Sequence, residues 1–133
     1  MKKGQVATEY LVIVGFALVA LIPLLVLYAS ERAQMEMAVS GNQARQIARE
    51  IVDAAEMMYY LGPPSRTTLK AYIPSNVREI NITSNEVIFS IYHRGQISHV
   101  AEQSSVNLTG AIPAKSGIRG ISIEALEGGV LIS

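Results

Sequence analysis

Glu9 is the first residue of this chain that asks for a chemical explanation. It stands immediately before residues 10–29, twenty positions without a charged side chain. Inserting an acidic side chain at mid-bilayer costs about 2.5–3.5 kcal/mol, and less near the interface. A segment built only to sit in lipid has no use for a carboxylate there. Two plain readings exist. The side chain reaches the headgroups, or it acts as a first-turn acid facing the positive end of a helix dipole. Gln5 lies four residues earlier, on the same helix face, and is preceded by Gly4.

Other residues with chemical potential are scattered. His93 and His99 are the two histidines; on one straight strand they would lie about 20 Å apart. No acidic or cysteine cluster completes a metal site around them, so they read as surface histidines. The absence of cysteine excludes a disulfide framework, a thiolate nucleophile and a Cys-ligated metal. The serines and glutamates assemble no nucleophile motif, and no Walker-type loop is present. No enzyme activity, cofactor or metal is expected. The charges balance at eleven basic and eleven acidic side chains. No basic patch forms, so no nucleic-acid partner is expected. Asn81-Ile82-Thr83 and Asn107-Leu108-Thr109 are N-glycosylation sequons. Asn107, near a turn, is the better candidate; Asn81 falls inside a strand.

The element that positions Glu9 is a helix. Twenty residues at 1.5 Å each span about 30 Å, the thickness of a bilayer's hydrocarbon core. Lys2 and Lys3 precede the apolar run and, by the positive-inside rule, hold the N-terminus in the cytoplasm. Three readings compete. A secretory signal would be cleaved behind the apolar segment, and Ala17-Leu18-Val19-Ala20 offers a small-x-small site. Such signals carry shorter apolar cores, about 7–15 residues. A single-span anchor would hold an external domain. A third reading accounts for Gly4 and Glu9 as well.

Lys2-Lys3-Gly4-Gln5-Val6-Ala7-Thr8-Glu9-Tyr10-Leu11, followed by the apolar run, resembles the class III signal peptide of archaeal type IV pilins. The family pattern is a short basic leader ending in Gly, then Gln, a small residue two positions on, and Glu two beyond that. Ala7 stands where Ser is often found. Related archaellins usually lack the Glu, so Glu9 favours a pilus over a swimming filament. The resemblance implies that a membrane-embedded prepilin peptidase cuts between Gly4 and Gln5, leaving the helix on the mature subunit. Removing Lys2 and Lys3 would take the side-chain charge from 0 to −2. The new α-amine of Gln5, with a pKa of ~7.7–8.0, would be mostly protonated near neutrality. It could pair with Glu9 within a chain or across staggered chains, offsetting the burial of a carboxylate.

Past residue 29 the apolar pattern becomes a stripe. Ala44, Ile47, Ala48, Ile51, Val52, Ala55 and Met58 recur at three- and four-residue steps. Arg49 and Asp53 are spaced for a surface pair, and Tyr59-Tyr60 would cap the core. Leu61-Gly62-Pro63-Pro64 ends the helix. Unbroken, residues 5–61 would form a helix about 85 Å long. Pro23 should kink it, and Gly41 is a weak point. The helical methionines read as adaptable packing rather than metal ligands.

The remaining residues alternate with period two. Strands are expected over 69–73, 77–83, 87–92, 97–102, 106–108, 118–125 and 130–132, with Val87, Phe89 and Ile91 on one face and Ile88 and Ser90 facing away. Arg94-Gly95, Gly110 and Gly128-Gly129 are among the turns. The expected fold is α+β: a long N-terminal helix packed on a small antiparallel sheet. The expected divisions are a leader, 1–4; an apolar membrane and filament-core helix, 5–30; an amphipathic helix, 31–61; and a β-rich domain, 65–133. The expected function is that of a filament subunit for surface adhesion, membrane-bound as a precursor and extracellular once assembled. Its partners would be other copies of itself, the peptidase, a membrane assembly platform and a separate ATPase. The alternatives are a monomeric anchored domain and a minor pilin that primes assembly.

Overall fold

The computed structural model describes residues 2–133. Helix α1 runs Lys2–Leu61 and is followed by β1 (Arg66–Ile73), β2 (Val77–Ile82), β3 (Glu86–His93), β4 (Gln96–Gln103), β5 (Leu108–Gly110), β6 (Gly117–Leu126) and β7 (Gly129–Ile132). This is the expected α+β fold. The helix continues through both Pro23 and Gly41. It ends where the sequence says it must. Gly62 adopts φ 75°, and its N–H reaches back to the carbonyls of Met58 and Tyr59, both at 3.1 Å. That satisfies carbonyls the last turn would otherwise leave open.

The chain divides into two compact units, one ending at Glu36 and the other Met37–Ser133. The first unit is bare helix. Its large apolar side chains from Val6 to Tyr28 are between 50 % (Leu21) and 76 % (Phe16) exposed, with Val14 half-buried. Among the described residues it is the one helix long and apolar enough to cross a membrane.

The second unit closes a core of its own. Ala44, Ile47, Ala48, Ile51, Val52, Ala55 and Met58 are all buried, which is the stripe read from their spacing. They join Ile73, Val87, Phe89, Ile91, Ile121, Ile123, Val130 and Ile132 in one apolar cluster. Each fully buried Ile, Val or Phe contributes about 1.5–3 kcal/mol.

The strands form two sheets rather than the single antiparallel one expected. One has the order β1-β6-β7-β5 and the other β2-β3-β4. The second is wholly antiparallel, and its β3–β4 hairpin turns through Arg94 and Gly95, both at positive φ. In the first sheet β5 pairs with β7 in parallel, Leu108 opposite Val130. Two glycines permit that pairing. A Cβ on Gly110 would lie 1.8 Å from the Ile132 carbonyl oxygen, and one on Gly129 would lie 2.8 Å from that of Asn107. The β5 strand begins at Leu108, two residues later than expected, leaving Val106 buried in the preceding loop.

Four side chains depart from expectation. Tyr59 and Tyr60 do not cap the core; they are 39 % and 76 % exposed. Met58 holds the last stripe position, and the next residue is turned about 100° away. Arg49 pairs with Glu102 of β4 at 3.3 Å instead of with Asp53. Ser90 belongs to the outward alternation yet is buried, because its cross-strand neighbour His99 lies against it; its Oγ is 3.1 Å from His99 Nδ1.

Candidate functional site

The site read from the sequence lies in the first three turns of α1. Lys2, Lys3 and Gly4 are already helical, so the basic residues and the apolar run form one continuous element. The helix places Gln5, Thr8, Glu9, Val12 and Ile13 around one open surface. Glu9 is exposed, at the border between the lysines and the apolar positions. The expected alignment of Gln5 and Glu9 on one face is therefore present. The Gln5 nitrogen is a peptide N–H inside the helix.

Thr8 belongs to this group, although nothing about its type drew notice in the sequence. Its Oγ1 donates a 2.7 Å hydrogen bond to the Gly4 carbonyl oxygen. The signal was available: a hydroxyl four residues after a given carbonyl is placed to bond it in any helix.

The second unit carries its own surface features. Asn81 and Asn107 are both exposed. Asn81 lies in β2 opposite Ile88. Asn107 immediately precedes β5, and its carbonyl oxygen accepts from the Val130 N–H at 2.8 Å. The β3–β4 hairpin carries His93 and His99 on opposite faces of the sheet, since His93 pairs with Gln96 and His99 with Ser90. They are not on one straight strand and share no site. His99 is exposed, whereas His93 is half-buried with its Nε2 lacking a partner. Among the described residues no group of three acidic or histidine side chains is placed to hold a metal ion. Tyr92 and Ile97 form an exposed cross-strand pair, with Arg78 stacked 5.3 Å from the Tyr92 ring centre. Tyr72 and Ile118 form another in the other sheet.

The ionisation of Glu56 is altered by its surroundings. The Ser105 backbone N–H and then the Ser105 hydroxyl hold its carboxyl below the ordinary range, against a smaller opposing effect of burial. This fastens the loop after β4 to the helix.

Comparison with known protein families, curated proteins and solved structures finds no match to this chain.

Proposed function

We propose that the chain is a structural subunit of an extracellular type IV pilus-like filament, assembled through residues 5–30 of its N-terminal helix. One observation carries this reading. A helix whose large apolar side chains from Val6 to Tyr28 are, Val14 apart, at least half exposed requires an apolar environment around it, and lipid and a bundle of like helices both supply it. The folded second unit closes its own core, so the helix is free for that role. Glu9, bordering the same face as Gln5, separates the subunit from a simple anchor. In lipid it lies near the interface, whereas in a helix bundle it needs a cationic partner.

In this reading a membrane-embedded peptidase removes residues 1–4, and the amine left on Gln5 pairs with Glu9 of a neighbouring copy. A membrane platform and a separate ATPase drive assembly, since the chain has no nucleotide loop. The precursor sits in the cell membrane with its N-terminus in the cytoplasm; the product is an extracellular fibre serving surface adhesion. Electron microscopy of cells with and without the gene tests the proposal, together with N-terminal sequencing of purified fibres. Fibres that vanish with the gene and begin at Gln5 support it. A mature N-terminus near Ser30 overturns it in favour of secretory cleavage.

A further inference from the structure

We infer that Thr8 sets the pace of leader removal by holding the carbonyl of the peptide bond to be cut inside the helix. The inference rests on the proposed cleavage between Gly4 and Gln5 and asks what the chain itself contributes to that step.

The reaction is hydrolysis. Water adds to the Gly4 carbonyl carbon and the Gly4–Gln5 amide bond breaks. The water oxygen stays on Gly4 as a carboxylate, and the Gln5 nitrogen leaves as an ammonium group carrying both protons of the water. The peptidase must therefore reach the Gly4 carbonyl. In this chain that oxygen is occupied twice. It is the helix-ladder acceptor for the Thr8 N–H, four residues on, and it also accepts the Thr8 hydroxyl at 2.7 Å. The cleavable bond thus lies within α1, which begins at Lys2, and must be unwound before it can be attacked.

Hydroxyl bonds of this kind are common in helices; Ser30 makes a comparable one to the Leu27 carbonyl at 2.7 Å. What distinguishes Thr8 is the identity of its acceptor and the weakness of the turn around it. Gly4 is a poor helix former, and the first N–H groups of a helix have no partner within it. In so weak a turn one extra hydrogen bond is a large share of the opening free energy. Thr8 is a positioning residue: it holds the precursor in its closed form and makes cleavage depend on the peptidase capturing an opened first turn.

The test uses the full-length precursor in membranes or micelles with purified prepilin peptidase. Thr8→Val removes the hydroxyl at nearly constant shape and helix propensity; Thr8→Ser keeps it. One lost hydrogen bond corresponds to about a two- to tenfold change in opening. Thr8→Val should be cleaved faster by that factor, and hydrogen exchange of the Thr8 amide in the uncut precursor should accelerate alongside it. Thr8→Ser should match the wild type in both. Equal or slower cleavage of Thr8→Val overturns the inference, as does faster cleavage without faster exchange, which would indicate a direct contact with the peptidase. Failure of the wild-type chain to be cut at all would instead overturn the leader reading on which the inference rests.

Discussion

Glu56 and Ser105 are joined by two hydrogen bonds to a single carboxylate oxygen. Glu56 Oε1 accepts from the Ser105 N–H at 2.9 Å and from the Ser105 hydroxyl at 2.8 Å. The pairing ties residues 49 positions apart in sequence, and Val106, next to Ser105, is buried. Hydrogen bonds to a charged group contribute about 1.5–3 kcal/mol each when well shielded, and less at an exposed site such as this. We expect Glu56→Ala to lower stability by about 1–2 kcal/mol, read from denaturant unfolding of the detergent-solubilised chain. The pH dependence follows from the lowered pKa of Glu56. A carboxyl depressed on folding stabilises the native state above its ordinary value of about 4.3. That contribution fades as the pH falls through the lowered value. The gap between wild type and Glu56→Ala should therefore close on acidification below that range and remain constant above it. A gap independent of acidification would show that the two hydrogen bonds do not favour the ionised carboxyl over the neutral one.

The second unit should stand alone. Its core draws on α1 only from Ala44 onward, so a fragment beginning at Gln43 keeps every buried helix residue and discards the exposed apolar run. We expect a soluble, folded monomer by sedimentation and circular dichroism. Insoluble or unfolded protein would mean that the sheets need a neighbouring subunit, as strand exchange between subunits would require.

Gly110 is a sharper test of the sheet topology. Its φ of +124° is a glycine conformation, and an added Cβ would meet the Ile132 carbonyl oxygen at 1.8 Å. Backbone stands on both sides of that contact, so neither can yield cheaply. Gly110→Ala should cost about 3 kcal/mol or more. Gly120→Ala should cost less than about 1 kcal/mol, because its nearest neighbour is the Thr68 Cγ2 at 3.4 Å. Equal effects in thermal unfolding would argue against the parallel β5–β7 pairing.

These glycines also show where sequence reading stops. The helix stripe from Ala44 to Met58 and the inward face of Val87, Phe89 and Ile91 were legible because burial on one face imposes a period that local sequence must obey. The helix stop was legible because Gly62 and the two prolines act through their own backbone. The β5–β7 pairing depends on Gly110 meeting Ile132, a contact with no local period. Arg49 chose Glu102 over Asp53 for a related reason, since the fold delivers a partner that helix spacing cannot reveal. Ser90 shows the same limit at shorter range: alternation assigned its face, but His99 on the next strand decided its burial. Near the N-terminus Glu9 stood out as a carboxylate opening an apolar run and Gln5 through the resemblance of residues 2–11 to a signal peptide, whereas Thr8 draws attention only through the carbonyl it bonds.

Glu9→Gln tests the central claim most directly. The substitution keeps size and polarity and removes the charge. In lipid, losing a carboxylate eases residence. In a filament it leaves the amine of Gln5 on a neighbouring chain without its partner, and an unpaired buried charge costs several kcal/mol. The measurement is a count of filaments by electron microscopy, paired with the N-terminal sequence of the membrane-bound protein. The account predicts normal insertion, an N-terminus at Gln5, accumulation of processed monomer in the membrane and few or no filaments. Filaments of normal number and length from Glu9→Gln cells would contradict it.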